Sequence, residues 1–160
     1  HPRHLTTDGF EQLADVASAW SPDRKELLYE SRRTGTSDLW VVPVDGGAPR
    51  QLTRDIRNDW GGRWSPDGKW VAFLSDRGKQ TDLWVVSAAG GQELRVTDDA
   101  DGEDLMQWLP GNRLAYLTGR GQSSIWALSL ADSSDRRLTP DSLEVWGPAP
   151  SPDVASAGVQ

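Results

Sequence analysis

Short apolar runs alternate with turn residues along the whole chain, and the runs recur in register. Lys69-Trp70-Val71-Ala72-Phe73-Leu74 is rich in strand formers, and residues 26–30 and 113–117 match it, with Tyr29, Phe73 and Tyr116 at equivalent places. A polar hairpin follows each (Arg33-Thr34-Gly35, Arg77-Gly78-Lys79, Arg120-Gly121-Gln122), then a further apolar run at 39–44, 83–87 or 125–130. Runs of this length bounded by Gly, Pro and Asp predict β-strands. The turns carry their own chemistry. In Pro66-Asp67-Gly68 the proline presets φ, the aspartate bonds its own backbone, and the glycine accepts positive φ.

Three landmarks keep one step. Trp20-Ser21-Pro22-Asp23, Trp64-Ser65-Pro66-Asp67 and Trp108-Leu109-Pro110-Gly111 lie 44 residues apart, and Pro150-Ser151-Pro152-Asp153 follows 42 later. Asp38-Leu39-Trp40, Asp82-Leu83-Trp84 and Ser124-Ile125-Trp126 step by 44 and 42. Leu52-Thr53, Val96-Thr97 and Leu138-Thr139 do the same, with Leu5-Thr6 before them. The third repeat lacks the aspartate of its turn and has a hairpin one residue shorter, which accounts for the 42.

Four short antiparallel strands every 42 to 44 residues is the size of a β-propeller blade. The expected fold is therefore all-β: a β-propeller segment of about 3.5 four-stranded antiparallel blades, incomplete as a closed ring. The expected division of 1–160 is a blade remnant at 1–15, blades at about 16–56, 57–99 and 100–141, and the start of another at 142–160. Trp20, Trp64 and Trp108, with Trp40, Trp84 and Trp126, are expected to form the repeat core between blades, because repeat units bury their faces on neighbours. Phe10, Leu13, Ala14 and Ala17 have a helical spacing, in a connection three residues longer than its counterparts. A helical turn fits there, but a strand is still expected to lead into Trp20.

Composition sharpens this picture. Leu, Val, Ile and Phe make up only one residue in five, a level found in disordered chains, whereas the nine Trp have no use in one. The repeat resolves the conflict, since six of the nine fall two per blade over three blades. The net charge of −7 argues against nucleic acid or an anionic membrane surface as partner. No apolar run approaches the ~18 residues a membrane-spanning helix needs. With no Cys and only His1 and His4, thiolate sites, cysteine nucleophiles and an internal imidazole base are absent from the sequence; no metal site and no cofactor is expected.

The stretch Trp64-Ser65-Pro66-Asp67-Gly68-Lys69-Trp70-Val71-Ala72-Phe73-Leu74-Ser75-Asp76-Arg77 with Asp82-Leu83-Trp84-Val85-Val86 resembles the WD-like propeller repeat of TolB and of the prolyl oligopeptidase family. Residues 39–53 tilt the resemblance toward the amino-terminal propeller of acylaminoacyl-peptidase and dipeptidyl-peptidase type enzymes. That resemblance implies a non-catalytic segment acting as scaffold and substrate-access gate for an α/β-hydrolase domain outside this chain. The alternative it leaves open is a TolB-like propeller mediating protein–protein interaction in the cell envelope. A cytoplasmic location goes with the first reading and a periplasmic one with the second. The chain itself is not expected to hydrolyse peptides. Gly35-Thr36-Ser37-Asp38-Leu39 and Gly121-Gln122-Ser123-Ser124-Ile125 both lack the second glycine of a nucleophile elbow and lie in strand-to-strand hairpins. The expected partners are that hydrolase domain, peptides, or a second copy, since two copies supply roughly seven blades.

Candidate binding residues lie on the connections between blades, where binding groups concentrate. Aligned there are Asp59-Trp60, Glu103-Asp104 and Trp146, with Asp15 at the corresponding place upstream. Trp60 and Trp146 fall outside the recurrent core set, and the acids around 98–104 form a lip suited to a substrate amino terminus or a basic partner. Aligned on an EF-hand loop, that acidic run puts Thr97 and Trp108 where carboxylates are needed, so it is not such a site. Arg33, Arg77 and Arg120 recur in the hairpins, open to a salt bridge or a carboxylate ligand.

Overall fold

The structure is a computed structural model that describes residues 16–98, 102–118, 124–131 and 134–139. Its described residues form three antiparallel sheets of four strands and no helix. Sheet 1 contains β1 (Val16–Trp20), β2 (Glu26–Ser31), β3 (Asp38–Pro43) and β4 (Arg50–Gln51). Sheet 2 contains β5 (Asp59–Trp64), β6 (Trp70–Ser75), β7 (Asp82–Ser87) and β8 (Glu93–Arg95). Sheet 3 contains β9 (Glu103–Leu109), β10 (Arg113–Thr118), β11 (Ser124–Ser129) and β12 (Asp135–Arg137). In each sheet the strands lie in sequence order, the meander of a propeller blade. The strand leading into Trp20 is present as β1. Residues 10–15, which share the helical spacing, lie outside the described residues, as do the remnant at 1–15 and the start of a blade at 142–160.

Local chemistry explains why the chain turns where it does. Ser21 Oγ donates to Asp23 Oδ1 at 2.7 Å and accepts from the Glu26 N–H at 2.9 Å, while the Arg24 N–H donates to Ser21 O. Ser65 and Asp67 repeat this, with Ser65 Oγ donating at 2.6 Å and accepting from the Trp70 N–H at 2.9 Å. The two hydroxyls take up turn N–H groups that the strand ladders leave unpaired. At the other end of each blade a threonine hydroxyl accepts from the first residue after the aspartate or serine of the third strand. These bonds are Leu39 N to Thr53 Oγ1, Leu83 N to Thr97 Oγ1 and Ile125 N to Thr139 Oγ1, at 3.0, 3.0 and 3.1 Å. The Leu-Thr landmark of the sequence is thus a fastening between the third and fourth strands.

The sheets pack face to face, and the periodicity of two sorts each strand between two cores. Leu28, Leu39, Val41 and Leu52 of sheet 1 meet Trp64, Val71, Phe73 and Val86 of sheet 2, with Trp84 packed alongside. Ala72, Leu74, Leu83 and Val85 of sheet 2 meet Leu114, Tyr116 and Leu128 of sheet 3, with Trp108 and Trp126 alongside. The face of sheet 2 turned to sheet 1 carries Trp64, Phe73 and Trp84, and the face turned to sheet 3 carries Ala72, Leu74, Leu83 and Val85 with Trp60 and Trp70 packed against that core. Close approach is needed where β5 crosses sheet 1. A Cβ on Gly62 would stand 2.7 Å from Leu28 Cδ2 and 3.2 Å from both Leu39 methyls, and the neighbouring register shift between Trp60 and Arg63 is a bulge at Gly61, whose φ is +66°.

Trp20 departs from the expected core set. It stands where Trp64 stands one blade on, yet it is 54% exposed against 8% for Trp64. The reason is its place in the stack: its face of sheet 1 looks backward, and no further sheet lies against that face among the described residues. Trp40 shares the backward face and is half-buried, with the Arg33 guanidinium 4.3 Å from its ring centre.

Candidate functional site

The connections between blades bring acids and arginines together at one end of the sheets. Asp59 opens β5, and its N–H donates to Ser37 O of the preceding sheet at 2.7 Å. Glu103 opens β9 and is tied in the same way to Thr81 O at 2.8 Å. These backbone bonds turn both side chains inward. Asp59 is fully buried, its Oδ2 accepting from Arg77 Nη2 at 2.6 Å. Glu103 is buried too, its Oε2 accepting from the Thr97 hydroxyl at 2.7 Å. Burial removes Glu103 from the lip expected of the acids around 98–104, and Asp59, a candidate binding residue on its connection, is turned into the blade as well. Carboxylates this deep join strands instead of meeting a partner.

Arg77 is the hub of this cluster. Its guanidinium reaches Asp59, forms an ion pair with Glu93, and lies 3.8 Å from Asp55 on the connection between sheets 1 and 2. Its flat face covers Trp84 at 4.6 Å and Phe73 at 5.5 Å, both on the aromatic side of sheet 2. Burial opposes the Arg77 charge, but the hydrogen bonds and charges of Asp59 and Glu93 outweigh it and raise its pKa. Burial pushes Asp59 above the usual aspartate range, against the opposing effects of the Ser75 hydroxyl and the Arg77 guanidinium. It also raises Asp38, a buried neighbour whose Oδ2 accepts from the Thr34 hydroxyl and whose Oδ1 has no partner. Arg33 repeats the stacking in sheet 1, over Trp40 and Tyr29, and donates to Tyr29 Oη at 2.7 Å. Arg120 lies outside the described residues.

Of the other expected binding residues, Trp60 is half-buried and packs against the core between sheets 2 and 3. Asp104 is exposed. Trp146 lies outside the described residues. The Ser37 stretch sits in the β2–β3 hairpin with Ser37 buried, its N–H bonded to Asn58 Oδ1.

The opposite end of the sheets holds a cleft that sequence agreement between repeats did not mark. It lies between the first hairpins of sheets 1 and 2, encloses about 430 Å³, and is bordered by Asp23, Glu26, Arg50, Trp64, Gly68 and Ala88. The Arg50 guanidinium bridges both Glu26 oxygens at 3.2 Å. Hydrogen bonds from Ser21 and the Lys25 N–H hold the Asp23 carboxyl below its ordinary range, and Ser65 and Lys69 do the same for Asp67. The signal was available as a disagreement between repeats. Glu26 and Ala88 stand where the next junction has Trp70 and Leu130.

Stacked four-stranded antiparallel meanders define a β-propeller blade array. The chain matches the TolB beta propeller domain over residues 8–156, and it belongs to that family. Among solved structures it is similar to a putative TolB from Agrobacterium tumefaciens, 24% identical over 81% of this chain and 50% of that one, with a TM-score of 0.71. TolB from Acinetobacter baumannii is 18% identical over 83% of this chain and 33% of that one, TM-score 0.63. A puromycin-hydrolyzing peptidase of Mycobacterium tuberculosis is 17% identical over 84% of this chain and 21% of that one, TM-score 0.63. The chain spans half or less of the length of these proteins. No curated protein matches it in sequence. The matched region, residues 8–156, is propeller.

Proposed function

We propose that this chain is the non-catalytic propeller segment of a prolyl-oligopeptidase-family serine peptidase, acting as scaffold and access gate for a hydrolase domain outside residues 1–160. The observation that carries the reading is what the chemically capable side chains do. Arg77, Asp59 and Glu93 join strands across a blade, Thr97 and Glu103 join one blade to the next, and the Ser-Asp pairs build turns. A chain that uses its acids, arginines and hydroxyls in this way works by packing and recognition. The run at 39–53, which tilts the resemblance toward the peptidases, supports that parent class.

The test is activity-based labelling of the protein isolated from its natural source, using a serine-reactive fluorophosphonate. A labelled serine outside residues 1–160, on a polypeptide that also yields peptides of this chain, supports the proposal. A label within 1–160, or no label on folded protein, overturns it. The family assignment favours a second reading, a TolB-like propeller that binds protein partners; absence of labelling together with stable co-purification of a protein partner fits that one.

A further inference from the structure

The aspartate that opens the third strand meets a cation in sheet 2 and none in sheet 1. In sheet 2 it is Asp82, and Arg95 of β8 donates to its Oδ2 at 2.8 Å. Gly78 in the hairpin before it leaves room for that pair, since a Cβ there would collide with Asp82 Oδ2 and stand 3.3 Å from Arg95 Nη2. Sheet 1 exchanges both places. Gln51 pairs with Trp40 where Arg95 pairs with Trp84, and Thr34 stands in place of Gly78, its hydroxyl donating to Asp38 Oδ2. Asp38 thereby has a neutral partner, and no ion pair reaches it among the described residues. It is all but fully buried, and its Oδ1 has no partner.

The groups around Asp38 favour a proton there. Thr34 comes from its own hairpin, Gln51 from β4, Thr53 from the residues after β4, and β5 brings the negative charge of Asp59. Asp59 is itself fully buried, with Ser75 of β6 and Arg77 facing it, and Arg77 is shared with Glu93 and Asp55. The Thr53 hydroxyl favours the charged form of both aspartates but has one proton to give, and its oxygen accepts from the Leu39 N–H at 3.0 Å. Ionising Asp38 therefore adds a buried negative charge beside Asp59 with no cation of its own, which desolvation and like charge both oppose. The two acids flank one seam, where the Asp59 N–H donates to Ser37 O at 2.7 Å and the Ser37 N–H to Asn58 Oδ1 at 3.1 Å.

We infer that this seam is a proton-operated joint: one proton carried by Asp38 holds the β2–β3 hairpin against β5, and its release loosens sheet 1 from β5. The matching seam of sheets 2 and 3, where the Glu103 N–H donates to Thr81 O at 2.8 Å, lacks the device because Asp82 has Arg95 as its counter-charge. Burial raises the Asp38 pKa above the usual aspartate range, Asp59 adds to the rise, and Thr34, Gln51 and Thr53 oppose it. The folded chain thus holds this proton more tightly than the unfolded one. That contribution is complete below the usual aspartate range and is lost as pH rises through the raised value. The joint goes beyond the scaffold role and does not depend on it.

Amide hydrogen exchange on the full chain, read by NMR and corrected for the intrinsic pH dependence of exchange, follows both seams at once. Protection of the Asp59 N–H is expected to fall by up to tenfold per pH unit across that window, the slope of one proton, while that of the Glu103 N–H stays level. The Asp38 carboxyl, followed by 13C NMR, is expected to titrate over the same range. Thr34→Gly combined with Gln51→Arg rebuilds the sheet 2 arrangement and is expected to abolish the slope. Asp38→Asn, which keeps the oxygen that accepts from Thr34 and removes the titrating group, is the second variant and is expected to abolish it as well. Equal slopes at the two seams, a slope that survives either variant, or an Asp38 titration outside the range in which protection changes overturns the inference.

Discussion

Replacing Arg77 by Met leaves an apolar stem over Trp84 and Phe73 but removes the only cation that reaches Asp59 Oδ2 among the described residues. Asp59 is then a fully buried carboxylate with neither oxygen balanced by charge, since its Oδ1 already lacks a partner. Removing one member of a buried ion pair costs about 3–5 kcal/mol, and the lost cation–π contact adds about 0.5–1 kcal/mol. With a urea slope of about 1.5 kcal/mol/M, a loss of ~3 kcal/mol lowers the midpoint by ~2 M. That is a large part of the ~5–15 kcal/mol by which a domain is stable. Urea unfolding followed by circular dichroism at neutral pH measures it. Adding Asp59→Asn to Arg77→Met removes the stranded charge and is expected to recover most of the loss. Without the guanidinium, the Asp59 pKa rises further, so the folded variant holds its proton more tightly and its deficit shrinks as pH falls through that raised value. A midpoint change under ~0.5 M in Arg77→Met would refute the reasoning, because it is the size expected of an exposed ion pair.

Other expectations follow from the same geometry. Asp38→Asn is expected to gain on the parent chain as pH rises through the raised Asp38 pKa. The folded state holds that proton more tightly than the unfolded one, and the wild-type carboxylate loses this contribution in that window; parallel pH profiles of stability would contradict it. Gly62→Ala forces a methyl into contact with Leu28 and Leu39 and is expected to cost about 1–3 kcal/mol by thermal unfolding, whereas an unchanged midpoint would mean the sheets can slide apart freely. Ser65→Ala removes the acceptor of the Trp70 N–H and the donor to Asp67. It is expected to cost about 1–2 kcal/mol and to move the Asp67 carboxyl up toward its ordinary pKa, read by NMR titration.

The blades were legible because a propeller repeats its packing as well as its strands. Trp64 and Trp108 recur at one step since each fills the same position against the sheet before it, and the Leu-Thr pairs recur since each threonine fastens two strands. Trp20 shows where recurrence stops informing. It shares the motif, but its burial depends on a neighbouring sheet that the motif does not encode. Asp59 and Glu103 are not told apart from surface acids by sequence, because an acid on a connection reads the same whether it faces water, the Arg77 guanidinium or the Thr97 hydroxyl. The recurrence of Asp15 with Arg33 and of Asp59 with Arg77, each 18 residues apart, was the available sign of a structural pair. The cleft beside Trp64 leaves no mark in the repeat, since it lies where Glu26 and Ala88 depart from the Trp70 and Leu130 of the next junction.

The proposed role as scaffold and gate requires a hydrolase domain encoded with this propeller array. Sequencing the gene on both sides of the segment encoding residues 1–160 tests that most directly. An α/β-hydrolase domain is expected downstream, with Gly-x-Ser-x-Gly at a strand-to-helix turn, followed by an acid and a histidine. A signal peptide and an amino-terminal α/β domain upstream, with no hydrolase downstream, would contradict it.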